Sequence, residues 1–256
     1  MDILAILGIV SGLGLILLGQ AMEGGNIGQL LQITAAMIVF GGTFGAVVLS
    51  FPPNILMDGL KSFGVAFGSL EVNYDETIQE IIKFAQKARK EGIISLEKEA
   101  RTASDPVLRM GLEALSDGTD PTLVREMMEN QLEQLENKIN ASAKVWESAG
   151  GYSPTFGIIG AVMGLIQVMQ NLTDPSKLGA GIAVAFVATI YGLFAANLVF
   201  IPSSSRIKYK YQKVFLKLTI MIEGVLSIQS GESPALIERK LQTFLLDSNT
   251  ESKKEQ

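Results

Sequence analysis

Four long stretches of this chain carry no charged residue: Ile3 to Met22, Gly24 to Met57, Ser148 to Thr173 and Leu178 to Ser205. A helix needs about 20 mostly apolar residues to cross a hydrocarbon core, and each stretch contains such a segment. The charged residues gather instead in two blocks, Asp58 to Glu147 and Arg206 to Glu255. The expected fold is therefore all-α, a polytopic membrane protein with four transmembrane helices and a helical cytoplasmic domain. Residues 1–51 supply spans one and two, 52–146 the cytoplasmic domain, 147–202 spans three and four, and 203–256 a cytoplasmic C-terminal tail.

Lysine and arginine set the sidedness. The first basic residue is Lys61, and all the others except Lys177 lie in the two polar blocks. Positive charge stays on the cytoplasmic side, so both blocks and both termini are expected inside, with the links Glu23–Gly28 and Asn171–Lys177 outside. Met1-Asp2 offers no basic n-region, so the first span reads as retained and not as a cleaved signal.

The chain has no cysteine and no histidine. That excludes disulfides and thiolate chemistry and removes the commonest general base and metal ligand. No phosphate loop, nucleophile elbow or HExxH pair occurs. The remaining carboxylates and lysines sit on amphipathic helices, not in Gly-rich turns, so neither an enzyme nor a bound cofactor or metal is expected. A net charge of −5 argues against a nucleic-acid partner.

In the first polar block, Asn73 or Asp75 can cap a helix whose apolar stripe is Ile78, Ile81, Ile82, Ala85 and Ala88. Lys83, Lys87, Arg89 and Lys90 face the other way. Gly92 interrupts, and Ile93, Ile94 and Leu96 resume the stripe. Asp105-Pro106 opens a short helix that fades at Asp117-Gly118. Asp120-Pro121 is a strong start signal, followed by Val124, Met128, Leu132, Leu135 and Ile139 and no breaker before Gly150. One helix of some 50 residues, about 75 Å long, is expected to rise from the cytoplasm into the third span. After the fourth span, Arg206, Lys208, Lys210, Lys213 and Lys217 read as an anchor on anionic membrane lipid. Ser233-Pro234 starts a last helix through Leu236, Ile237, Leu241, Phe244 and Leu245, and the polar tail after Asp247 is expected to be disordered.

Within the spans, Gly8, Gly12, Gly41, Gly42, Gly45, Gly157, Gly160, Ala161 and Gly164 allow close helix contact. Pro154 follows Gly150 and Gly151 and reads as a hinge, since proline removes one helical hydrogen bond and crowds the carbonyl four residues earlier. Pro202 reads either as a second hinge or as the end of the fourth helix. No carboxylate lies in any span; only hydroxyls and amides are present, among them Ser153, Thr155, Gln167, Thr189, Tyr191 and Asn197. Ion-coupled proteins keep an ionisable group at membrane depth, so either the chain moves no ions or a partner supplies the acid.

Several segments resemble the MotA/PomA family, the larger subunit of the bacterial flagellar stator. They are Glu23-Gly24-Gly25-Asn26, the run from Ala88-Arg89 to Leu96-Glu97, Ser153-Pro154 through Gly160-Ala161, and Val187 through Tyr191-Gly192 to Pro202. The resemblance implies an inner-membrane complex in which five copies surround two copies of a single-span MotB-like partner. That partner's aspartate would supply the acid, and inward ion flow would turn the pentamer against the rotor switch protein FliG. On this resemblance Arg89 and Glu97 face the rotor, and Pro154 and Pro202 belong to coupling. Sodium-type members are similar but carry threonine where Ala161 stands, while Thr189 matches a threonine of both types, which favours protons over sodium. The alternative is an energy transducer of the ExbB/TolQ kind, which has three spans and lacks the Ile3–Phe51 hairpin.

Overall fold

The computed structural model describes the backbone of residues 2–173 and 175–254, and the side chains of 2–173 and 178–245. Asp174 and the Lys177 side chain of the second link, together with Glu255 and Gln256, lie outside the described residues. The described chain is helical throughout and forms two compact units. Residues 1–70 and 138–210 make the membrane unit, and residues 71–137 and 211–256 the polar unit. These divisions fall elsewhere than the polarity boundaries at 51, 146 and 202. The reason is a helix that the sequence reading did not foresee.

In the membrane unit, α1 (Ile3–Met22) is the first span, opened by Asp2, whose carboxylate accepts from the Ala5 amide. The second span, Ile27–Ser50, is composite. It comprises a 3-10 turn at Ile27–Leu30 capped by Asn26, then α2 (Ile33–Ala36), a π-helical turn at Met37–Gly41, and α3 (Gly42–Ser50). Pro52 and Pro53 then start α4 (Pro53–Phe67), since proline is preorganised for a first helical position. Its buried face is Gly59, Ser62 and Ala66. Trp146 donates its indole N–H to the Gly59 carbonyl at 2.8 Å and packs against the Phe63 ring at 4.3 Å. These contacts tie α4 to the membrane unit and move the division to Leu70.

The last carbonyls of α4 need partners, and the basic run supplies them. Lys210 Nζ donates to the carbonyls of Val65, Ala66 and Gly68 at 3.0, 2.9 and 2.6 Å. Arg206 Nε donates to Ala66 O, and both cations pair with the Asp2 carboxylate. Lys208 pairs with Glu147 at 3.0 Å, and Lys217, in the polar unit, with Asp105 at 3.1 Å. Of the five cations expected to lie on lipid, only Lys213 makes no ion pair among the described residues. The run is mostly internal structure, because neighbouring carboxylates and helix ends compete for the same charges.

Hydrogen bonds from Lys210 and Arg206 pull the Asp2 carboxyl from its ordinary 3.8 down to about 2. A lowered carboxyl stabilises the fold above its ordinary value and loses that contribution as pH falls through the lowered one. Asp2→Asn is therefore expected to lower the thermal midpoint in detergent at pH 7. The gap to the unaltered protein should close as pH is taken from about 4 to 2. An equal gap at every pH would show that Asp2 acts only through its helix cap.

The polar unit follows the sequence signals closely. Asn73 caps α5 (Tyr74–Glu91) by accepting from the Glu76 amide at 3.1 Å, and Asp75 lies in the first turn instead. Ile78, Ile81, Ile82 and Ala85 are buried as the periodicity requires. Ser95 precedes α6 (Leu96–Ala100), Asp105 caps α7 (Pro106–Ser116), and Asp120 accepts from the Thr122 amide at the start of α8 (Pro121–Gln170). Val124, Met128, Leu132 and Leu135 of α8 join the same core, together with Leu218, Met221 and Val225 of α10 (Ile201–Gln229). The last helix, α11 (Pro234–Lys254), buries Ile237 and Leu241 but leaves Leu236 exposed. It continues through residues 248–254, where disorder was expected, and that segment contains neither glycine nor proline to stop it.

Candidate functional site

The third and fourth spans belong to α8 and to a helix series made of α9 (Pro175–Phe194), a π-helical turn at Ala195–Phe200 and α10 (Ile201–Gln229). α8 keeps all 50 of its residues in one helix, with Pro154 inside it. The two spans approach through small residues. A β-carbon on Gly192 would lie 2.5 Å from the Ser153 carbonyl oxygen and 3.1 Å from the Pro154 Cα. One on Gly157 would lie 2.9 Å from Ala188 O and 3.3 Å from the Thr189 Cα, and one on Gly164 2.6 Å from Gly181 O. Backbone therefore meets backbone at these three glycines, while at Gly160 the nearest atom is the Ala188 Cβ. Lipid provides no hydrophobic drive between helices, so such contacts depend on small residues. Buried Ser153 adds a cross-link, donating its hydroxyl to Gly192 O at 3.1 Å.

Among the candidate coupling residues, Pro154 and Thr189 both lie at this contact, Pro154 against Gly192 and Thr189 against Gly157. Ala161 lies one helical turn beyond Gly157 on the same face of α8 and is half-buried. Thr189 donates its hydroxyl to Ala185 O of its own helix at 3.2 Å. Pro202 stands apart. It lines a cleft of about 210 Å³ with Leu4, Ala5, Gly8, Leu198 and Arg206. The helix does not end there but runs on to Gln229. Proline crowds the carbonyl four residues earlier, and the wide turn ahead of it, in which the Ile201 amide donates to Ala196 O, relieves that crowding. Not every span glycine packs. Gly12 meets Leu198 and Gly42 meets Phe156, but Gly8, Gly41 and Gly45 face open space within the chain.

Two further contacts were not foreseen from the sequence. Tyr191 donates its hydroxyl to Leu30 O at 2.5 Å and accepts from the Gln32 amide at 3.2 Å, which fastens the 3-10 turn to the fourth span. The sequence offered only a tyrosine hydroxyl within the fourth span as a signal. In the polar unit, Lys87 Nζ reaches Glu99 Oε1 at 2.6 Å and joins α5 to α6. Glu99 holds the Lys87 ammonium above its ordinary pKa. Arg89 and Glu97 flank the turn that this pair braces, and both are exposed.

The spans form a polytopic helical bundle in which the third and fourth pack closely and none carries a carboxylate. Residues 99–220 match the profile described as the MotA/TolQ/ExbB proton channel family, and residues 6–92 match the one described as Motility protein A N-terminal. Motility protein A of Helicobacter pylori is 33% identical over 245 residues, spanning 96% of this chain and 95% of that one. A solved structure of C. jejuni MotAB superimposes with a TM-score of 0.88 at 32% identity, covering 95% of this chain and 96% of that chain. The flagellar MotAB stator complex from Bacillus subtilis gives a TM-score of 0.85 at 31% identity, covering 96% and 97%. The chain belongs to the Motility protein A family. It is a multi-pass membrane protein and a flagellar stator subunit. The ExbB/TolQ alternative falls away, because the first pair of spans is present and the N-terminal match covers it.

Proposed function

We propose that this chain converts proton flow into torque together with a single-span MotB-like partner that contributes the membrane aspartate. The observation that carries this is the chemistry of the spans. They hold no carboxylate, and the hydroxyls of Ser153, Thr155 and Thr189 each donate to a helix carbonyl. A group that loads and releases a proton at neutral pH must then come from another chain. Both solved structures are of MotAB complexes, which favours a MotB-like partner. Five copies around two of the partner, an inner-membrane location with both termini cytoplasmic, and a push on FliG through Arg89 and Glu97 complete the proposal. Alanine at position 161 favours protons, since sodium, a hard cation, needs several oxygen ligands.

In proteoliposomes the chain alone is expected to be silent, and co-reconstitution with the partner should give proton flux under an imposed potential. Each charge crossing about 100 mV releases about 2.3 kcal/mol, so a modest gradient suffices to drive it. Equal flux with and without the partner would overturn the assignment.

A further inference from the structure

The turn between α5 and α6 points an isoleucine outward where periodicity places it inward. Leu96 is fully buried and Ile93 packs on the core, but Ile94 is 77% exposed. The turn is fixed in this form. Gly92 adopts φ +85°, which other residues rarely reach, and its carbonyl accepts from the Ser95 hydroxyl at 2.6 Å and the Ser95 amide at 3.1 Å. The Lys87–Glu99 pair closes the other side.

The charged residues from Lys87 to Glu99, which flank Ile94 in the chain, divide into two sets. Lys87, Glu91 and Glu99 are paired with one another. The side chains of Arg89, Lys90, Glu97 and Lys98 make no ion pair or hydrogen bond among the described residues. An aliphatic knob held rigidly within a rim of unpaired charges has the anatomy of an interface hot spot. Rim charges steer and orient a partner but add little grip of their own, whereas a desolvated aliphatic side chain supplies grip.

We infer that Ile94 is the apolar anchor of the rotor contact. It would seat in a small apolar pocket on the rotor surface whose rim is mainly acidic, with one base opposite Glu97. This rests on the proposal that Arg89 and Glu97 face the rotor. Three free cations against one anion disfavour a symmetric contact with a second copy, which would set this surface against its like. An anionic membrane would attract the cations but repel Glu97, whereas a rotor surface bearing charges of both signs satisfies all four.

The test uses the intact stator in motile cells. Ile94→Ala should cut stall torque severalfold and Ile94→Lys should abolish it. Ile94→Met should retain most of it, with membrane abundance unchanged in all three because Ile94 is largely exposed and outside the core. A benzoylphenylalanine photoprobe in place of Ile94 should cross-link to a rotor-ring protein. Wild-type torque in both Ile94→Ala and Ile94→Lys, or cross-links only to lipid or to a second copy, would overturn the anchor. Arg89→Glu and Glu97→Lys separate the two levels. If they stop motility while the Ile94 variants swim normally, the anchor fails and the rotor-facing reading stands. If they swim normally, the underlying reading fails.

Discussion

Gly192→Val is expected to eliminate functional stator from the membrane. Any β-carbon at this position lands 2.5 Å from Ser153 O and close to the Pro154 and Gly157 Cα atoms, all backbone with no rotamer to yield. The two helices must separate, which also breaks the Ser153–Gly192 hydrogen bond. Overpacking costs about 1–3 kcal/mol and sometimes more, and here the clash lies in the contact that holds spans three and four together. Gly192→Ala should show a milder loss in the same direction. Gly8→Ala and Gly41→Ala, where the added carbon meets nothing within 4 Å of this chain, are the controls. Membrane abundance and the thermal midpoint in mild detergent report the outcome. Equal abundance of Gly192→Val and Gly8→Ala would show that the small-residue contact is not limiting.

Rotation driven by this chain should persist in sodium-free medium and stop completely when an uncoupler collapses the proton gradient. On the proposed mechanism a proton would bind one carboxylate of the partner and would need no oxygen cage. Sodium would need several ligands at about 2.3–2.6 Å, by analogy with calcium, another hard cation. Thr189, half-buried with its hydroxyl proton donated to Ala185 O, is one oxygen toward such a cage. Ala161→Thr would add a second on the same face of α8 as Gly157. That single change is expected to leave rotation proton-driven, because the remaining ligands are not in place. Swimming speed against sodium concentration at fixed proton-motive force decides the matter. A saturable sodium dependence in the unaltered protein would reverse the assignment.

Local signals were legible where they concern a helix and its own ends. Uncharged length gave the four spans, and Asn73, Asp105 and Asp120 marked helix starts. The absence of breakers between Pro121 and Gly150 foretold one continuous helix. The exposure of Arg89 was legible too, because charges on the polar face of an amphipathic helix stay in water. What failed was pairing at a distance. Nothing in the sequence says that Asp2 meets Arg206 and Lys210, so the basic run read as a lipid anchor. Glycine counting found close contact but could not separate Gly157 and Gly164, which pack, from Gly8 and Gly41, which do not. α4 was lost because its start fell inside an uncharged stretch, and Ile94 because a turn with positive φ shifts the periodicity of whatever follows.

The π-helical turns at Met37–Gly41 and Ala195–Phe200 shift phase in the same sense within longer helices. An α-helix advances about 100° per residue, and a π-helical turn accommodates one residue more than the α-helical turn it replaces. Everything after Phe200 is therefore rotated by about that angle relative to an unbroken α-helix read from the residues before Ala195. Ser203, Ile207 and Arg206 take their present directions from this offset, and so does the meeting of Arg206 with Asp2. Deleting one residue between 195 and 200 would close the bulge into an ordinary α-helical turn and keep the remainder of the helix at its present azimuth, whereas straightening the turn at constant length would swing that remainder by about 100°. Span four is in this sense two helical screws of different phase joined end to end, and the joint decides which face each presents.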